Sequence, residues 1–198
     1  MHSIEAAKDR RSRSANDTKN QSTHWASILR QGKYTEALEV SKEVDDSRAQ
    51  ALAEDHPKRL ASQHELASAY MANGQIDKAV ELLQHVVRVQ EERLVEDHPN
   101  KLTSQHELAR AYMANGQIDK AVELLEHVVR VEEQLPEDHL NKLASQHELA
   151  RAYRANGQID KAVKLLEHVV RVQEKLPEDH PDKLASQRTL ATYKAYIT

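Results

Sequence analysis

Histidine offers the most obvious chemistry in this chain. The 198 residues contain 12 histidines and no cysteine, so a transition-metal site would depend on imidazole and carboxylate ligands. Most of the histidines recur at steps of 41 or 42 residues, which places them in three series. The series are His56, His98, His139 and His180; His64, His106 and His147; and His85, His127 and His168.

A repeated spacing of this length argues against a metal site. Metal ligands must converge within ~2.1 Å of one ion, whereas equivalent residues on packed helices lie roughly 8–10 Å apart. His64-Glu65 is followed by no second histidine at the spacing of the H-E-x-x-H zinc motif. We therefore interpret the histidines as scaffold positions copied with a repeat, and we predict no metal and no cofactor. A further hypothesis is that they make stability or binding depend on pH near ~6.5.

Nucleotide binding and catalysis also lack a pattern in the sequence. No phosphate-binding glycine motif occurs, and each of the four glycines is isolated. Ser62, His64 and Glu65 include residue types for a nucleophile and a base, but the same triplet recurs in every full unit. Catalysis uses one singular constellation, so identical copies favour packing or capping. We predict that the chain is not an enzyme.

The elements that carry these residues are internal repeats. The stretches at residues 102–142 and 143–183 are identical at 34 of 41 positions, and the stretch at 60–101 has nearly the same sequence. Gly32, Gly74, Gly116 and Gly157 follow one another at 42, 42 and 41 residues. A period of this size indicates a stacked repeat protein.

Each unit is predicted to be a pair of helices. In the first full unit, Leu66, Ala67 and Tyr70 form the centre of an apolar stripe at helical spacing. Asn73-Gly74 then ends that helix, because glycine accepts the left-handed cap conformation. The second helix is apolar over a wide arc, so it needs partners on more than one side, and a stack of units provides them.

The order L-A-x-x-Y, then Gly, then I-D-K-A-V-x-L-L resembles the tetratricopeptide repeat (TPR). The unit length and the E-D-H-P link resemble the kinesin-light-chain type of this repeat. The segment L-A-S-Q-H-E-L-A resembles the C-terminal arrays of fungal NOD-like receptors. The resemblance covers about residues 22–198. It implies an all-α fold, a right-handed α-solenoid of helix-turn-helix TPR units with a concave groove.

We predict a flexible polar tail at residues 1–20 and a TPR array at residues 21–198. The array comprises a degenerate unit at 21–59, full units at 60–101, 102–142 and 143–183, and a partial or capping unit at 184–198.

In the family that this chain resembles, the concave groove is lined from the first helix of each unit. The resemblance places nine groove residues here: His64, Ser68, Met71, His106, Arg110, Met113, His147, Arg151 and Arg154. At some of these positions otherwise similar units carry different residues. Arginine becomes more frequent at them toward the C-terminus. Arginine can clamp a carboxylate with two hydrogen bonds, so an acidic peptide is the predicted ligand. The alternative reading is that these arginines form an ordinary solvated helix face.

The sequence therefore predicts a non-enzymatic scaffold that binds a peptide or a partner domain. One alternative is a self-association module that forms a homo-oligomer, because similar units expose similar end faces. A second alternative is a pocket in the superhelix that serves a small molecule or an enzymatic reaction. The formal net charge of −4, with both signs interspersed, predicts no nucleic-acid or membrane partner. No apolar run approaches the ~18 residues of a membrane span, and a cytoplasmic location is expected.

Overall fold

The structure is a computed structural model that describes residues 33–197. The predicted tail, Gly32 and the first part of the degenerate unit lie outside these residues. In the described part there are eight α-helices and no strand, so the prediction of an all-α repeat fold is confirmed. The helices are α1 Tyr34–Ala51, α2 Pro57–Ala72, α3 Ile76–Arg93, α4 Pro99–Ala114, α5 Ile118–Val131, α6 Leu140–Ala155, α7 Ile159–Val172 and α8 Pro181–Lys194. None of them is both long enough and apolar enough to cross a membrane.

The first helix of each pair begins at a histidine. His56, His98, His139 and His180 occupy the N-cap positions of α2, α4, α6 and α8. In each case Nδ1 accepts a hydrogen bond from the backbone N–H two residues later, at 3.1 to 3.3 Å. A cap satisfies one of the N–H groups that a helix start leaves without an intrahelical partner. This series of histidines therefore has a structural role that its spacing did not reveal.

The Asn-Gly turns end the same helices, as predicted. Gly74, Gly116 and Gly157 have φ values of +76°, +73° and +73°. The backbone N–H of Gln117 donates to the carbonyl of Tyr112 at 2.9 Å, which closes the end of α4. Bonds of this type satisfy carbonyls that the helix end would otherwise leave without partners.

The chain divides into two compact units, Met1–Ala79 and Val80–Thr198. In the described part of the first unit, α1 packs against α2, and Ala37, Leu38, Leu66 and Ala67 are buried.

In the second unit, α4 to α8 pack in sequence, each against the next. The second helices of the pairs bury one stripe each: Ala121, Val122, Leu125 and Val128 in α5, and Ala162, Val163, Leu166 and Val169 in α7. The α7 stripe packs with Ala150 of α6 and Tyr193 of α8. Helix α7 thus has partners on both sides, as the wide apolar arc predicts.

The site where the repeat shortens lies at the end of the second helix. Helix α3 continues to Arg93, whereas its counterparts α5 and α7 end at Val131 and Val172. Each is followed by a short 3-10 turn, at Glu132–Gln134 and Gln173–Lys175.

The link after each turn is fixed by a buried lysine. Lys142 Nζ donates to the carbonyls of Glu133 and Leu135, both at 3.1 Å. Its counterpart Lys183 donates to the carbonyl of Leu176 at 3.2 Å. These bonds hold the residues that lead into the next first helix.

Candidate functional site

Two of the predicted groove histidines connect successive first helices of the second unit. His106 Nε2 lies 2.8 Å from Ser145 Oγ, and His147 Nε2 lies 2.9 Å from Ser186 Oγ. Ser145 Oγ also donates its proton to the carbonyl of Asn141 at 3.0 Å. Because a hydroxyl has one proton, His106 Nε2 must be the donor in its bond with Ser145.

These hydrogen bonds resemble a nucleophile–base pair only in distance. Ser145 is fully buried, and its proton is bound to a backbone carbonyl rather than to the imidazole. A nucleophile needs access to substrate and a base that can accept its proton, and Ser145 has neither. The arrangement recurs in the next unit, which also favours a structural role.

Burial lowers the pKa of His106 and of His147 below the ordinary value of 6.5. Desolvation is the largest cause for both residues, because it penalises the charged imidazolium. For His106 it is opposed by the carboxyl groups of Glu132, Glu148 and Glu107, which raise the pKa. For His147, Glu148 and Asp182 raise the pKa and Arg151 lowers it. Burial thus favours the neutral imidazole that the bonds to serine use.

The remaining histidine series does not assemble a metal site either. His127 Nε2 lies 3.6 Å from Glu96 Oε1, as a single pair. Throughout residues 33–197, no group of three or more histidine, aspartate and glutamate side chains is arranged to hold a metal ion.

Arg110 and Arg151, which were predicted to attract an acidic ligand, each have a partner on their own helix. Arg110 Nη1 donates to both carboxylate oxygens of Glu107 at 2.9 and 3.0 Å. Arg151 makes the same two bonds to Glu148 at the same distances. Exposed i,i+3 pairs of this kind are weak, so a ligand could displace them. Each pair therefore presents both signs of charge, whereas the predicted groove included only the positive residue.

Arg154 contacts two tyrosines near the end of α8. Its guanidinium carbon lies 5.2 Å from the ring centres of Tyr193 and Tyr196, and Nη2 donates to the Tyr196 hydroxyl at 3.3 Å. The hydrogen bond to Tyr196 is the largest cause that raises the pKa of Arg154. This arginine therefore has cation–π partners within the chain.

The nine predicted groove residues divide between the two compact units. His64, Ser68 and Met71 are partly buried on α2 of the first unit. The other six lie in the second unit, on α4 and α6, where the three arginines are exposed and His106, Met113 and His147 are partly buried. We refer to these six residues as the first-helix face.

Two cavities adjoin the first-helix face, one in each successive pair. The first has a volume of about 390 Å³ and is lined by His106 and Glu132. The second has a volume of about 480 Å³ and is lined by their counterparts His147 and Gln173. We call them the Glu132 cavity and the Gln173 cavity.

Glu132 was not among the residues predicted from the sequence. The predicted groove residues all lie on first helices, whereas Glu132 belongs to the turn after a second helix. The sequence does contain a signal for Glu132. Two successive units differ at only seven positions, and the position of Glu132 and Gln173 is one of them.

Tyrosines connect neighbouring pairs at α4 and α6. Gln84 Nε2 donates to the Tyr112 hydroxyl at 2.9 Å, and the Tyr153 hydroxyl donates to Glu126 Oε1 at 2.6 Å. Burial and the Glu126 carboxylate raise the pKa of Tyr153. A third cavity of about 500 Å³ is lined by Tyr153, Lys161 and residues around them. It provides a second candidate surface with which the first-helix face can be compared.

Comparison with known proteins agrees with this architecture. The family profile described as the tetratricopeptide repeat matches residues 21–92, 58–134, 102–175 and 141–197. The chain belongs to the tetratricopeptide repeat family. Repeat domains of this family are generally protein-interaction modules and typically non-enzymatic.

Among solved structures, the chain is similar to nearly identical TPR-like repeats from Podospora anserina, in a protein provisionally named a kinesin light chain. The two are 51% identical, with a TM-score of 0.82, over 89% of this chain and 85% of that chain. The resemblance to TPR units of the kinesin-light-chain type is thus confirmed.

More distant structures show the fold alone. BtubC (BKLC) from P. vanneervenii is 20% identical, with a TM-score of 0.76, over 90% of this chain and 72% of that chain. The Sgt2 TPR domain from Aspergillus fumigatus is 22% identical, with a TM-score of 0.52, over 72% of this chain and 80% of that chain. A comparison with curated proteins gave no match.

Proposed function

We propose that the chain is a non-enzymatic scaffold that binds a peptide or a partner domain across the first-helix face. The observation that carries this proposal is the pair of cavities beside α4 and α6, which repeat with the units. Two cavities in successive units suit an extended chain that places one side chain in each. The proposal includes a cytoplasmic setting, like that of the fungal receptor arrays that the sequence resembles.

Selection from a random peptide display library tests the proposal without a known partner. We expect recurrent peptides that bind the chain and lose affinity when Met113→Ala and Arg154→Ala are combined. The matched control is Lys164→Ala, which changes an exposed residue of the third cavity. Failure to enrich any recurrent peptide, or an equal loss with the control, would contradict the proposal.

The predicted preference for acidic peptides stays a proposal and has a test of its own. Arg110→Gln with Arg151→Gln should weaken binding of an acidic selected peptide, because both positive charges are lost. Glu107→Gln with Glu148→Gln should strengthen it, because the arginines are then released from their pairs. We expect the two double variants to change the affinity for the acidic peptide in opposite directions. Equal effects on affinity would show that the arginines do not select the ligand.

Self-association is a second candidate, and one observation favours it. Gln187 and Ala191 on α8 are exposed, whereas their counterparts Gln146 and Ala150 on α6 are 6% and 0% exposed. In α6 this face is covered by a neighbouring helix, so in α8 it could accept a helix of a second copy. Light scattering over a hundredfold range of concentration tests this. Dimers that disappear in Ala191→Glu support self-association, and a monomer throughout contradicts it.

A further inference from the structure

The Glu132 cavity contains a buried acidic group that the Gln173 cavity lacks. Glu132 is 2% exposed, and its Oε2 atom accepts no hydrogen bond from residues 33–197. Gln173 is 5% exposed, and its Oε1 atom also lacks a donor among these residues. A neutral amide costs much less to bury than a carboxylate does, so the need for a donor is greater at Glu132.

The other charged groups around the Glu132 cavity add negative charge. Asp97, Glu107 and Glu148 line it together with Glu132, and no lysine or arginine stands among the described lining residues. Arg110 and Arg151 pair with Glu107 and Glu148. Within the described part of the chain, Asp97 and Glu132 therefore keep carboxyl groups that form no ion pair.

The two histidines of this cavity do not supply the missing cation. His106 donates Nε2–H to Ser145, and its pKa is lowered, so the neutral ring is favoured. His139 uses Nδ1 to accept the backbone N–H of Asn141 at the start of α6. Nε2 of His106 and Nδ1 of His139 are thus already engaged, at Ser145 and at the start of α6.

The size of the cavity suits an organic cation. Its volume of about 390 Å³ is more than ten times the ~30 Å³ that one water molecule occupies in the liquid. A metal ion is disfavoured, because the described histidine and carboxylate side chains form no metal-binding group. A flexible side chain that ends in a hydrogen-bond donor meets both requirements, since it fills space and pairs with the carboxylate.

We infer that the Glu132 cavity binds a lysine or arginine side chain of the partner peptide. This inference rests on the proposed peptide-binding function and adds a residue type at one position of the ligand. The ammonium or guanidinium group donates to the buried Glu132 carboxylate, and Asp97 adds attraction at the cavity. Charge-assisted hydrogen bonds of this kind are roughly twice as strong as neutral ones.

The chain contains its own matched control. Glu132→Gln gives the first cavity the residue of the second, and Gln173→Glu makes the reverse exchange. Both substitutions keep the size and shape of the side chain and use a residue that this position already holds in a neighbouring unit. Loss of folding is therefore not expected, and a single cooperative thermal unfolding transition would verify this for each variant.

The first measurement uses n-butylammonium as a probe of the lysine side chain and n-butanol as its neutral counterpart. We expect saturable backbone amide shifts around Glu132 and His106 in the nuclear magnetic resonance spectrum, with the ammonium only. Glu132→Gln should weaken this binding about tenfold or more. Gln173→Glu should create shifts around His147. Equal shifts with both probes, or no effect of Glu132→Gln, would overturn the inference.

The second measurement uses the displayed peptides. We expect peptides selected on the unchanged chain to share a lysine or arginine and to bind Glu132→Gln about tenfold or more weakly. Recurrent peptides without such a residue would overturn this inference and leave the scaffold proposal standing. Absence of any recurrent peptide would instead contradict the scaffold proposal, whatever the result with n-butylammonium.

Discussion

At the scale of single residues, the same side-chain type has different roles according to its position in the unit. His98 caps a helix, and His106 joins two first helices. The sequence predicted no shared metal site for these histidines, because repeat spacing separates equivalent residues. It did not predict the ion pairs of Arg110 and Arg151. Glu107 is copied in every full unit, so a comparison of the positions that differ between units did not single it out.

The buried histidines predict how stability depends on pH. Burial lowers the pKa of His106 and His147 in the folded chain below 6.5, despite the opposing carboxyl groups named above. Between the lowered pKa and ~6.5 the unfolded chain binds more protons, so stability rises with pH in this window. The contribution of the neutral rings is complete above about pH 6.5 and is lost as the pH falls further.

Thermal unfolding measured from pH 7.5 to 5.5 checks this prediction. We expect a lower melting temperature at pH 5.5, with ~2–4 °C for each 1 kcal/mol of stability lost. In His106→Gln with His147→Gln, part of this dependence should disappear, because the titrating groups are gone. His85→Gln is the control, because it removes a histidine of the third series and leaves His106 and His147 in place. A melting temperature that stays constant over this pH range would show that the two histidines do not couple to folding.

At the scale of helices, most of the structure follows from local signals. The period of the apolar residues predicted the helix pairs, and the Asn-Gly dipeptides predicted where the first helices end. The starts of the first helices were harder to predict from the sequence, since histidine is not among the usual N-cap residues. Pro57, Pro99 and Pro181 marked the first helical position, and Leu140 occupies it without proline.

Gly116 tests whether the turn requires glycine for its backbone conformation. A Cβ at this position would meet no atom within 4 Å, so its φ of +73° is the only obstacle. We expect Gly116→Ala to lower the free energy of unfolding by about 1–2 kcal/mol. Gly116→Asn should cost less, because asparagine tolerates the left-handed region. Chemical denaturation measures both, and an alanine variant as stable as the asparagine variant would contradict this explanation.

At the scale of the whole molecule, the repeat predicted the family and the order of packing but not the binding surface. The Glu132 cavity is formed by residues from 97 to 148, contributed by two helix pairs and the turn between them. Such a cavity depends on how neighbouring units pack, which no single unit encodes. The choice of Glu132 in place of glutamine was nevertheless visible as a difference between units.

The central claim is that the ligand binds the first-helix face. Hydrogen–deuterium exchange of the chain, with and without the strongest selected peptide, tests it most directly. We predict slower exchange in α4, in α6 and in the turn at Glu132, and unchanged exchange in α7, where Lys161 and Lys164 line the third cavity. Protection that is confined to α7, or peptide binding that leaves α4 and α6 unchanged, would contradict the claim.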